Sequence, residues 1–196
     1  MAEVKSAREI AMEKVAKLGN ATEEERLKWQ YVPQGEQLGA RYLKEDGNLA
    51  AELSQYLEKV RKYIIEGAAN ILIRNINLPR NDAIKANNRR AMDGLKTLRS
   101  SKANIENVYS RIRNIFNHYA DQGERQRKQA YQSLKTEFEA KLQQAMQQQF
   151  GSVIGMKIDV EKQPQFQQEW RKLQNQLDSS YLNLLDEYKR ELSEIA

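Results

Sequence analysis

The sequence predicts an all-α protein: an elongated antiparallel helical bundle of long coiled-coil-like helices, with one short irregular insert near residues 151–163. Two observations carry this prediction. Only three prolines and nine glycines occur in 196 residues, and Ala, Leu, Glu, Lys, Gln and Arg, which lose little side-chain freedom in a helix, dominate the rest. The apolar residues also recur at steps of three and four, the period of one helix face. With 30% charged residues and a mean hydropathy of −0.84, the chain is polar enough for either disorder or long helices with narrow seams. The periodicity selects the helices.

Ala2 to Leu18 reads as a first helix, stopped by Gly19-Asn20. Thr22 with Glu25 three residues later is a capping-box pattern, so a short helix starts at Glu23 and carries Leu27 and Trp29. Pro33 disfavours helix at the residue before it, so Val32-Pro33-Gln34-Gly35 is expected to break the chain. A further piece then runs from Glu36 to Glu45 and ends at Asp46-Gly47. From Asn48 onward, Leu49, Leu53, Tyr56, Val60, Tyr63, Gly67 and Ile71 form one stripe, flanked by Leu57, Ile64, Ala68 and Leu72. A single helix ending near Ile76 to Pro79 is expected there.

Asn81 or Asp82 caps the next helix, which has the most regular pattern. Ala91, Leu95, Leu98, Lys102, Ile105, Tyr109, Ile112, Phe116 and Tyr119 alternate steps of four and three, a heptad seam interrupted only by Lys102. Unbroken from Asp82 to Ala120, this helix would be about 58 Å long at 1.5 Å per residue. Asp121-Gln122-Gly123 reads as a break. Tyr131, Leu134, Phe138, Leu142, Ala145 and Phe150 mark a further helix ending at Gly151, and a last one starts near Pro164. Between them, Val153 to Val160 suits a short extended piece, and the glycine-flanked insert reads as a turn that plugs the end of the core, with a partner-docking loop as the alternative. By domain, residues 1–47 read as a short-helix segment packing on a bundle formed by 48–196, the whole being one continuous domain.

Several kinds of chemistry are disfavoured. There is no cysteine, and His118 is the only histidine. Ile115 stands where a Glu-x-x-His metal motif needs its glutamate. No nucleophile elbow or glycine-rich phosphate loop occurs. Asp159 and Glu161, the nearest thing to a carboxylate pair, read as solvated loop acids. The expectation is therefore a non-enzymatic protein with no cofactor, metal or evident small-molecule substrate. Glu3, Glu9 and Glu13 interrupt the N-terminus, and Glu66, Asn70, Arg74 and Asn75 interrupt the most apolar stretch. No membrane span and a cytoplasmic location are expected.

Charge is uneven. Residues 1–60 carry a net −2, residues 61–135 a net +10 and residues 136–196 a net −3. The basic third nominates Arg80, Arg89, Arg90, Arg111, Arg113, Arg125, Arg127 and Lys128 as a polyanion-binding set, with Tyr109, Tyr119 and Tyr131 interleaved. Two readings weigh against it: Tyr109 and Tyr119 fall on the heptad seam, and the acidic outer thirds can neutralise the middle by intramolecular pairing.

The opening AREIAMEKVAKLGNATEEERLKWQYVPQGEQLGARYLKED, together with the later KIDVEKQPQFQQEW, resembles a family of small bacterial helical proteins of unknown function. That resemblance implies a bacterial, non-secreted protein and supplies no catalytic or binding residues. The leading functional expectation is a helical interaction or scaffold protein, self-associating as a homo-oligomer or binding a protein partner through the seam of Leu95, Leu98, Ile105, Tyr109, Ile112 and Phe116. The alternative is nucleic-acid binding through the basic 61–135 face.

Overall fold

A computed structural model describes residues 21–45, 47–150 and 159–195, except for the side chains of 149 and 150. Its elements are α1 (Glu23–Lys44), α2 (Leu49–Ser54), α3 (Glu58–Arg74), α4 (Asp82–Leu98), α5 (Lys102–His118), a π-helical turn (Tyr119–Gly123), α6 (Glu124–Phe150), a 3₁₀ turn (Val160–Lys162) and α7 (Pro164–Glu194). The described residues contain no strand, so the class is all-α, as composition and period require. The helix expected at Ala2 to Leu18 and most of the extended insert lie outside the described residues; Val160, at the insert's end, is in the 3₁₀ turn rather than extended. Contacts divide the chain into two compact units. One comprises Met1–Ile76, Ala86–Ile105 and Ser193–Ala196, the other Asn77–Lys85 and Glu106–Leu192.

In the first unit, α1 starts at its capping box. The Thr22 hydroxyl accepts from the Glu25 amide at 3.2 Å, and the Glu25 carboxylate accepts from the Thr22 amide at 2.8 Å. Thr22→Ala should therefore cost about 1 kcal/mol, read as a lower urea midpoint with an unchanged slope. The helix then runs through Pro33 to Lys44 instead of breaking there. An interior proline costs about 3 kcal/mol in isolation, and close packing of α1 on α3 offsets it. A methyl group at Gly35 would sit 2.8 Å from the Ile64 carbonyl carbon and nearer still to its oxygen; one at Gly67 would sit 2.8 Å from the Glu36 nitrogen and nearer still to the Val32 oxygen. Backbone therefore rests on backbone at this crossing, and only glycine fits. Glu23–Lys59 and Glu24–Lys62 ion pairs join the starts of the two helices, and Gly39 lies beside Ala68 further along, so α1 and α3 run parallel.

The chain returns between them by way of α2, which splits the single helix expected from Asn48. Asn48 caps α2 by accepting from the Ala51 amide at 3.2 Å, and α3 restarts after Leu57. The break keeps the stripe in phase: Leu49, Leu53, Val60 and Tyr63 are all buried, while Leu57 is 78% exposed. The Arg61 guanidinium donates to the Tyr56 carbonyl at 3.0 Å and satisfies one of the groups freed there. α4 contributes Ala91, Met92, Leu95 and Leu98 to the same core. The Asn81 side chain caps α4, as expected, by accepting from the Ile84 amide at 2.8 Å.

The long helix expected from Asp82 to Ala120 is interrupted between Leu98 and Lys102. The interruption falls at the one charged position of the heptad. A continuous helix would hold Lys102 on the buried face; as the first residue of α5 it is exposed, while Ile105 after it is fully buried.

The second unit is a helical hairpin. Asp121-Gln122-Gly123 does not end the helix: α5 passes through the π-helical turn into α6, so one helical run extends from Lys102 to Phe150, roughly 70 Å at 1.5 Å per residue. α7 lies antiparallel on it. Glu191 meets Arg111, Tyr181 meets His118, Asp178 meets Arg127, and Phe166 meets Tyr131 and Phe138.

The π turn has a cause in the spacing. Tyr119 and Tyr131, the aromatic residues on either side, are twelve positions apart, one more than the eleven that a four-three-four pattern needs. A π turn takes about one extra residue, absorbs the surplus and keeps Tyr119, Gly123 and Arg127 on one line toward α7.

Candidate functional site

The polar centre of the hairpin is Asp178, whose side chain is only 4% exposed. Arg80 donates to its Oδ2 at 2.7 Å, the Tyr119 hydroxyl donates to the same oxygen at 3.2 Å, and an Arg127 Nη1 stands 3.6 Å from Oδ1. The Arg127 guanidinium lies 4.0 Å over the Tyr119 ring. Tyr119 in turn meets Tyr181 edge-on at 5.1 Å, and the Tyr181 hydroxyl shares a 2.9 Å hydrogen bond with Nδ1 of His118. A methyl group at Gly123 would come within 3.0 Å of Arg127 and 3.3 Å of the Tyr181 hydroxyl, so the glycine of the π turn leaves space for both. Geometry alone explains the set: the π turn aligns Tyr119 with Arg127, and α7 brings Asp178 and Tyr181 to them.

Burial pushes the Tyr119 phenol above its ordinary value, and the Asp178 charge adds to this, against the opposing pull of Arg127 and Arg80. Because the folded value is raised, the stability linked to this proton is intact below the ordinary tyrosine range near 10 and is lost as pH climbs through the folded value. Burial raises Tyr42 and Tyr131 as well. Ultraviolet titration of the folded protein should thus show a late-ionising class of tyrosines. That class should merge with the others in denaturant and shrink in Tyr119→Phe.

Beside this network is a pocket of about 480 Å³, set between α5 and α7 against the start of α6. Ile115, Leu184 and the rings of Tyr181 and Tyr188 form its apolar walls, and Arg111, Asn114, His118, Gln126 and Ser180 supply its polar groups. Arg111 donates to Oε1 of Glu191 at 3.0 Å, makes a second bond to its other oxygen, and lies 4.7 Å over the Tyr188 ring.

Most of the basic set nominated from the sequence is engaged within the fold. Arg80 and Arg127 hold Asp178, Arg111 holds Glu191 and Arg113 holds Glu106. Arg125 pairs with Asp121 at 2.9 Å and Lys128 with Glu124 at 2.7 Å, each one turn away on the same helix. Arg90 donates to the carbonyls of Tyr42 and Glu45 and so caps the end of α1. Arg89 is exposed on α4. Tyr109 and Tyr119 are buried, each 2% exposed, and Tyr131 packs against Phe166 and Trp170, so these rings serve the interior. Of the seam residues, Leu95, Leu98, Ile105, Tyr109 and Ile112 are buried within the chain and Phe116 is half-buried.

The loop acids have ordinary lysine partners. A hydrogen bond from Lys135 holds the Glu161 carboxyl below its usual range, and one from Lys162 does the same for Asp159.

Asp178 was not singled out from the sequence, although a signal exists. It shares a helix face with Tyr181, Leu185 and Leu192, at steps of three, four and seven, and is the one acid among those buried positions of α7. The pocket's polar groups carry no such mark, because Asn, Gln and Ser on a polar helix are read as solvated.

None of the described helices is long and apolar enough to cross a membrane. No curated protein and no solved structure matches the chain. A family of unknown function, DUF6657, matches it over residues 50–194. The match includes the KIDVEKQPQFQQEW stretch but begins after the opening stretch that also carried the resemblance. Spanning α3 to α7 and both the Asp178 network and its pocket, it identifies the chain as a member of this uncharacterised family.

Proposed function

We propose that this is a non-enzymatic helical interaction protein that self-associates through the stripe shared by α6 and α7. One observation carries the reading: no residue of α6 whose side chain is described reaches full burial. Tyr131, Leu134, Phe138, Leu142 and Met146 recur there at helical spacing, yet all stay half-buried, as do Trp170, Leu173 and Leu177 on α7. The eight buried residues of α3 make the contrast. A two-helix hairpin cannot enclose its own seam, and a second hairpin laid against it would complete a four-helix arrangement. Each large side chain that moves from half to full burial contributes about 1 kcal/mol.

The heptad of α4 and α5 is not the surface for this, since its side chains are already used inside the chain. Ion pairing of Arg80, Arg111, Arg113, Arg125, Arg127 and Lys128 also favours a protein partner over a nucleic acid. A bacterial cytoplasmic setting belongs to the same proposal and rests on the sequence resemblance.

Sedimentation equilibrium tests the proposal. The wild type should be dimeric at tens of micromolar, and Leu134→Glu with Leu142→Glu should be monomeric with an unchanged helical signal. A wild type that stays monomeric at high micromolar concentration would overturn it.

A further inference from the structure

We infer that the pocket between α5 and α7 binds a small, uncharged, planar heteroaromatic molecule of the nucleoside class. The pocket's volume, about 480 Å³, suits a ligand of that size. Its apolar content comes from the Tyr181 and Tyr188 rings with Leu184 between them on α7, and from Ile115 on α5. Leu184 is 42% exposed, an apolar wall open to an incoming molecule.

The polar groups narrow the chemistry further. Asn114, Gln126 and Ser180 are each able to donate and to accept, which matches the mixed edge of a nucleobase or sugar. The Tyr181 bond occupies Nδ1 of His118, which leaves Nε2 as the nitrogen for a ligand. A purely apolar guest would desolvate these groups without replacing their hydrogen bonds.

Charge excludes the other common classes. Arg111 is the one cation of the lining, and Glu191 already grips it with two hydrogen bonds while Tyr188 supports its face. The site therefore presents no uncompensated charge to a phosphate or carboxylate. Arg111 and His118 each already have a hydrogen-bond partner before any ligand arrives. Groups already held save some of the ordering cost of binding. The adjoining π turn is a device that recurs beside functional sites in helical proteins.

Saturation-transfer NMR on the full chain, with adenosine, uridine, adenosine monophosphate and cyclohexanol as probes, tests this. Adenosine or uridine should give saturable transfer with a midpoint below about 1 mM. The monophosphate should bind no tighter than adenosine, and cyclohexanol should give no saturable signal. Leu184→Arg and Asn114→Ala change exposed residues, so both should keep the wild-type melting curve while weakening nucleoside binding at least tenfold. The inference is overturned if neither nucleoside saturates, if the monophosphate binds tenfold tighter, if cyclohexanol competes, or if both variants bind as the wild type does. The oligomeric state does not enter this readout, so failure here leaves the self-association reading standing, and the reverse.

Discussion

Replacing Gly35 or Gly67 with alanine should destabilise the protein by about 3 kcal/mol, at the upper end of what an overfilled interior costs. The sign is what makes the experiment sharp. Alanine is the better helix former by about 1 kcal/mol, so local propensity alone predicts that both substitutions stabilise. The crossing of α1 and α3 predicts the opposite, because the added methyl would press on the backbone of Ile64 in one case and of Val32 and Glu36 in the other. Backbone cannot rotate away as a side chain can, so the helices must separate, and separation opens the contacts that hold α1 straight through Pro33. Gly47→Ala is the control: its methyl would meet only the end of the Glu52 side chain, at 3.2 Å, which can move. Urea melts followed by circular dichroism would read the difference. Equal stability of Gly35→Ala and Gly47→Ala would mean that the backbone-to-backbone crossing is wrong.

Asp178→Leu should cost a similar amount for a different reason. Arg127 is only 18% exposed and would be left facing an apolar side chain with its charge unmatched. Breaking one side of a buried ion pair typically costs about 3–5 kcal/mol, whereas replacing the whole group by apolar residues can be nearly neutral. Asp178→Leu combined with Arg127→Met should therefore recover much of the loss. Tyr119, freed from the carboxylate charge that helps raise its proton affinity, should ionise earlier in Asp178→Leu. A double variant no more stable than the single one would show that the pair does not act as a unit.

What the sequence discloses here is local. The Thr22–Glu25 box, the Asn81 cap and the start at Pro164 each depend on atoms within one turn, and each is found where the pattern puts it. Pro33 is misread because its local penalty is offset by a contact some thirty residues away, through glycines that look like a turn when met in order. Gly123 is misread similarly: the extra residue between Tyr119 and Tyr131 can be counted, but whether it breaks the helix or widens one turn depends on α7 lying alongside. The break after Ser54 has no proline or glycine to announce it. For the candidate site, the individual residues were in view, His118 and Arg111 among them, and their company was not. Which acid meets which base across a hairpin depends on a register that only the folded chain sets.

The division of the chain has a consequence for how it must be made and taken apart. Each unit is assembled from non-adjacent stretches: the first needs Ala86–Ile105 and the second needs Asn77–Lys85. α4 begins in one and ends in the other, and α5 does the reverse. No single scission therefore releases an intact half, and a fragment ending at Ile76 lacks the Leu95 and Leu98 that close its own core. A ribosome must deliver residue 193 and beyond before the first unit can be complete, and a protease that nicks α4 after Lys85 cuts through the core of the first unit.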